Sequence, residues 1–313
     1  MLRRFPIEFF ILIVVPFFIF TTFFIFSPAA FSSFSLVTLR SVAFLLFFGD
    51  LAFVLAFSLA YFYCFGKLFH HCTQKFRGQP STFFPFLKSL LCIVLLVGAH
   101  TALTGTIIDA VGTQSPARVL AANAALERFD VAMFDEQPLI IMQWFARVPF
   151  FDTLLVATYT NLGIILALLT LVLLFNKLLF RRFILSFALT TLLGLPFWYF
   201  YPAISPDELY RKNVVGVTDL LPLHEQLART PLTANLLSFL QSLDGHWSSP
   251  HIGQFAVTSF PSMHVAWGVL IAYFATALWW PLGIVAIPYA LANAASTVYT
   301  LQHYAVDSIA GII

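Results

Sequence analysis

The chain has 313 residues, 60% of them hydrophobic and only 10% charged, with a formal net charge of +2. A soluble domain of this length carries roughly a quarter charged residues, and no basic patch with interleaved aromatics points to nucleic acid. Apolar runs of about 20 residues, the length that crosses a ~30 Å hydrocarbon core as helix, recur from end to end, and nothing suggests the short alternating strands of a barrel. The expected fold is all-α, a polytopic membrane bundle of about seven to eight transmembrane helices with an interfacial helix and an outer-face cap.

The first span is read at about 6–26, behind Arg3 and Arg4. Its apolar run exceeds the ~7–15 residues of a signal peptide, so a retained anchor is expected. Further spans follow at about 42–66, 89–111, 150–175, 183–202, 263–280 and 282–300. A last one opens near His303 and reaches Ile313 in less than half a span, so the natural chain is expected to continue.

Between the third and fourth spans, 120–152 has apolar residues at helical spacing with Arg128, Asp130 and Asp135 between them. That pattern predicts a helix in the interface plane, then a turn at Pro138. The segment 203–262, entered through Pro202 and carrying Pro206, Pro222, Pro231 and Pro250, predicts a cap of short helices and turns. The whole, 1–313, reads as one integral domain with a motif core at 195–313 and less typical spans over 1–111.

Lys67, Lys75, Arg77 and Lys88 follow the second span, and Lys177, Arg181 and Arg182 the fourth, with no acid in either loop. The positive-inside rule makes these loops cytoplasmic. Segments 112–149 and 203–262, with His264 and His303, then face the outside or a lumen. Cys64, Cys72 and Cys92 lie at cytoplasmic span ends without metal-ligand spacing and read as packing residues.

The stretch "FPSMHVAWG" (260–268) sets Ser262 and His264 at the mouth of an apolar helix. Ser262 fits an N-cap after Pro261. The remaining N–H groups of that turn and the positive end of the helix dipole make an anion site, to which His264 can donate. In "STVYTLQHYAVDSIAG" (296–311), His303 and Asp307 are four apart and share one face of a helix. Asp307 can there accept the imidazole Nδ1–H and leave Nε2 free as a nucleophile. An unpaired carboxylate at that depth costs several kcal/mol, which a partner histidine relieves. The two-span hairpin between His264 and His303 returns both to one membrane face.

Pro-Ser-x-His, followed after a hairpin by Ser-x6-His-x3-Asp, resembles the type-2 phosphatidic acid phosphatase superfamily. Within it, "FPSMH" and "STVYTLQHYAVD" are similar to the fungal inositol phosphorylceramide synthase branch and its bacterial relatives. Lipid phosphatases of the superfamily usually have arginine where Thr297 stands. The resemblance is specific over 260–311, weaker over 125–138 and 201–206, and absent from the first two spans. It implies ping-pong phosphotransfer without metal or other cofactor: His303 attacks phosphorus, His264 protonates the leaving oxygen and later serves as base, and Asp307 orients His303. The partners are then a phospholipid donor, a lipid-alcohol acceptor and the bilayer. The superfamily's upstream Lys-x6-Arg-Pro clamp has no match here. Arg211, Lys212 and Arg229, with Ser262 and Ser296, are the expected substrate-binding residues, and Arg128 and Arg147 are further cations on that face.

The expected activity is transfer of a phosphorylated head group, such as phosphoinositol, to a lipid alcohol. A lipid phosphate phosphatase is the alternative. A transporter using Asp50, His100 and Asp109 as a proton relay is a third reading, which no inverted repeat supports; Asp50 and His100 also read as a structural pair across the bundle.

Overall fold

A computed structural model describes residues 115–173, 175–211, 229–236, 238 and 259–313. Expectations for the spans at 6–26, 42–66 and 89–111, the cysteines, Asp50, His100, Asp109 and Lys212 fall outside these residues. Two compact units divide the chain, one of Met1–Thr106 and Gly163–Ala188, the other of Ile107–Leu162 and Leu189–Ile313. The described residues are helical throughout, with no strand.

Proline opens the first helices. α1 (Pro116–Phe134), α2 (Pro138–Ala146) and α3 (Pro149–Thr160) each place proline at the first position, after a residue in extended conformation. Proline lacks the N–H that this position cannot use, and it biases the preceding residue toward extended backbone. α1 ends where Asp135 takes a left-handed conformation, φ 61°. The expected helix is α1, and the expected turn falls at Asp135–Gln137, with Pro138 opening the next helix.

α4 (Leu162–Leu173) follows α3 across Asn161, and α5 spans Lys177–Phe200. Lys177, Arg181 and Arg182, expected in a loop, stand on the first turns of α5. α6 (Pro206–Arg211) and a helical turn at 231–236 belong to the segment expected to form a cap. α7 (Met263–Leu278), a 3₁₀ turn (Trp280–Leu282) and α8 (Gly283–Tyr299) form the expected hairpin, and α9 is Ala305–Ile312. Trp279 and Trp280 at its bend are 61% and 72% exposed, as membrane-interface aromatics are.

Two helices, Leu178–Phe200 and Trp280–Tyr299, are long and apolar enough to cross a membrane, or three spans if α3 and α4 count as one. The chain is an integral membrane protein; among the described residues two to three spans are visible, against the seven to eight expected of the whole.

The second unit buries Leu139, Leu155, Val156, Tyr159, Leu236, Val298, Tyr299, Leu301 and Ala305 in one cluster. At its edge the Asp152 carboxylate accepts hydroxyl bonds from Tyr299 (2.7 Å), Thr233 (2.7 Å) and Thr230 (3.2 Å). Three donors satisfy a charge that burial would otherwise penalise heavily, and they lock α3, the 231–236 turn and α8 together. α7 and α8 approach closely at Gly268, where a Cβ would lie 2.8 Å from Asn293 Oδ1. Small residues permit such crossings between membrane helices.

Candidate active site

Ser262 is the N-cap of α7, its Oγ accepting the Val265 N–H at 3.4 Å as its sequence position predicts. Its own N–H donates to the Asp307 carbonyl (3.0 Å), so the start of α7 is stitched to α9. At Gly311 the backbone of α9 lies so close to the Ser262 carbonyl that no Cβ fits between them. This contact, with the α7–α8 hairpin, brings the two histidines together. Their ring centroids are 5.8 Å apart. The His264 ring lies on Tyr159 in a parallel stack at 4.8 Å, with Trp267 at 6.0 Å on another side.

His303 does not share a helix with Asp307. α8 closes in a Schellman motif: Gln302 N donates to Thr297 O (3.0 Å) and Leu301 N to Val298 O (3.0 Å), with Leu301 at φ 60°. Glycine normally fills that position, because a left-handed residue with a side chain costs about 1–2 kcal/mol. Leu301 is fully buried in the core cluster, which over-determines the strained backbone. His303 follows, its N–H also on Thr297 O at 3.1 Å, and α9 begins only after the Tyr304 N-cap.

The histidine consequently has a nearer partner than the expected Asp307. Its Nδ1 lies 2.9 Å from the Ser259 carbonyl and 3.6 Å from Asp307 Oδ2. A carbonyl only accepts, so Nδ1 carries a proton, and in the neutral ring the lone pair is then on Nε2. Asp307 acts one bond further back: its Oδ2 takes the Ser259 hydroxyl (2.6 Å) and the Tyr304 N–H (2.9 Å), the latter half of a capping box. The carboxylate still places negative charge beside the ring.

Asp130 of α1 completes the cluster. Expected on the polar face of an interfacial helix, it is fully buried, and accepts the N–H groups of Ala305 (2.9 Å) and Val306 (2.8 Å). Burial pushes its carboxyl up to about 6, against the pull of these two amides, with the charges of Asp307 and Glu127 adding to the rise. Burial likewise raises the Tyr201 phenol, which Arg128 draws down and Asp307 pushes further up.

The other expected ligands are differently engaged. Ser296 is fully buried and donates to the Asn293 carbonyl of its own helix (2.7 Å). Thr297, also buried, hydrogen-bonds Ser308 (2.9 Å). Arg229 is exposed, next to the Thr230 that binds Asp152. Arg147 packs over the Trp144 ring at 4.7 Å. Arg211 ends α6, and its side chain, like all of Lys212, lies outside the described residues. Among the described residues, no three His, Cys, Asp or Glu side chains group so as to hold a metal ion.

Ser259, Tyr159 and Asp130 were not legible as site residues. Only Asp130 left a trace, as an acid between Phe129 and Val131. The family model for the PAP2 superfamily matches residues 124–313. No curated protein and no solved structure matches the chain.

Proposed function

The chain belongs to the PAP2 superfamily, and from that premise we propose that it is a lipid phosphotransferase working through a phosphohistidine on His303. The observation that carries the reading is the Ser259 carbonyl on Nδ1, which in the neutral ring puts the lone pair on Nε2, beside a second histidine. Nε2 attacks the phosphorus of a phospholipid head group, and a P–N bond forms as the P–O bond to the lipid breaks. His264 gives its proton to the departing oxygen. It then takes the proton of the incoming hydroxyl as that oxygen displaces the histidine from phosphorus. Asp307, 3.6 Å from Nδ1, stabilises the positive charge that develops on the ring.

The acceptor is a lipid alcohol and the transferred group a phosphorylated polyol such as phosphoinositol, as in the inositol phosphorylceramide synthase branch. Support comes from Thr297, which stands buried against Ser308 where the superfamily's lipid phosphatases usually carry arginine. The site is proposed to face the outer or lumenal side, a reading that the charge pattern of the sequence supports. Arg128, Arg211, Lys212 and Arg229 are the cations proposed to hold the phosphate. Ser262 and Ser296 serve it indirectly, by capping α7 and bracing α8.

Purified protein incubated with head-group-labelled phosphatidylinositol, with and without ceramide, tests this. Label moves to ceramide in the wild type and not in His303→Ala. Release of label to water regardless of ceramide would make the protein a phosphatase.

A further inference from the structure

The carboxylate of Asp130 has no part in the chemistry just described, yet it lies against the backbone that carries the nucleophile. Asp130 sits on α1, 175 residues before Ala305 in sequence, and is fully buried. Oδ2 accepts the Ala305 N–H at 2.9 Å and Oδ1 the Val306 N–H at 2.8 Å. These are the first two amides of α9. The amide before them, on Tyr304, goes to Asp307, and the first intrahelical bond, Ser308 N to Tyr304 O at 3.3 Å, follows.

A helix N-terminus normally takes its acceptors from its own sequence. α9 has one local cap, the Asp307 carboxylate on the Tyr304 N–H, and the next two amides take their acceptors from a distant helix. That second acid also has a cost. Asp130 and Asp307 are like charges gathered at one helix end, and both are held out of water. What the arrangement gains is position. The turn carrying His303 is anchored on its upstream side by the Schellman closure on Thr297 and on its downstream side by Asp130. Between the anchors, the imidazole reaches the Ser259 carbonyl with Nε2 free.

We infer that Asp130 is a positioning residue for the nucleophile: by holding the first two amides of α9 with both carboxylate oxygens, it sets where His303 presents Nε2. The inference rests on the reading of His303 as the nucleophile. It also assigns a task to α1, which would otherwise be only an interface helix.

The test is Asp130→Asn, with Asp130→Glu beside it. The amide keeps one acceptor but turns an NH₂ toward the second backbone N–H, while Glu keeps two acceptors on a longer stem. Full-length protein in mixed micelles is given ³²P-labelled phosphatidylinositol and phosphatidic acid. Phosphohistidine formation is followed by rapid quench, and kcat and KM are measured separately. A displacement approaching 1 Å at a reacting centre lowers rate by up to about 100-fold. We therefore expect Asp130→Asn to lose roughly 10- to 100-fold in kcat and in the phosphorylation step, with KM within about twofold and Asp130→Glu intermediate. A merely structural tie would lower the yield of folded protein and leave the turnover of the folded fraction unchanged, which overturns the inference. So does wild-type phosphorylation in Asp130→Asn. If Asp130→Asn does not fold, Asp130→Glu is read by the same split, and a wild-type kcat there overturns the inference. Absence of phosphohistidine in the wild type itself overturns the nucleophile reading, and the positioning inference with it.

Discussion

Gly311→Ala probes the contact that brings the histidines together. A Cβ at Gly311 would press into the Ser262 carbonyl and lie 3.1 Å from Val265 Cβ. The carbonyl has little room to yield, since it accepts the Ala266 N–H (3.2 Å) while Ser262 N holds the Asp307 carbonyl (3.0 Å). α9 must retreat by about 1 Å to restore ordinary contact near 3.5 Å. That displacement stretches the Ser262–Asp307 bond and moves the N-cap that follows His303. Overpacking of this kind destabilises by about 1–3 kcal/mol, which a folded membrane bundle survives. A 1 Å error at the reacting atoms costs on the order of 100-fold in rate. Head-group transfer by the purified variant should therefore fall about 100-fold in kcat with little change in KM, alongside a modest drop in melting temperature. Turnover within about threefold of wild type, in a variant whose melting temperature has dropped, would refute the argument that this backbone contact sets the histidine geometry.

Asp307→Asn keeps the Nδ1 tautomer, because Ser259 O remains, but removes the charge 3.6 Å from the ring; phosphoenzyme formation should fall roughly 100- to 1000-fold, and a loss under tenfold would mean the carboxylate serves only the helix cap. Ser259→Ala removes the hydroxyl on Asp307 and spares the carbonyl on His303. Its kcat should drop about tenfold, one bond to a charged group, and a deeper loss than in Asp307→Asn would reverse the order of these two groups. Asp130, whose carboxyl is raised from 3.8 to about 6, should make folding favour acid. The folded state binds the extra proton between those values, so stability from this group grows as pH falls from about 6 to 4, by up to ~3 kcal/mol. Thermal melts should show the wild type gaining on Asp130→Asn across that window; a constant difference would place the native pKa near its ordinary value.

From sequence alone, the membrane class, the hairpin boundaries at 263–280 and 282–300, the Ser262 cap and the pairing of His264 with His303 and Asp307 were all legible. These depend on local rules. Apolar run length sets span length, and a serine before an apolar helix fits the N-cap that leaves the next residues in its first turn. The orientation of His303 was not legible, because its partner is the main-chain carbonyl of Ser259, 44 residues away, which no side-chain spacing can encode. Four-residue spacing suggested one continuous helix from His303 to Asp307, whereas buried Leu301 in a left-handed conformation ended α8 first. Leucine has no intrinsic preference for that backbone, so only the surrounding core selects it. Asp130 is the sharpest case. On an amphipathic helix considered alone, an acid belongs to the polar face, and only the docking of α1 against α9 turned it inward onto two amides. Local propensity determined which residues line the mouth of the hairpin, and long-range backbone contacts decided which atoms of those residues can react.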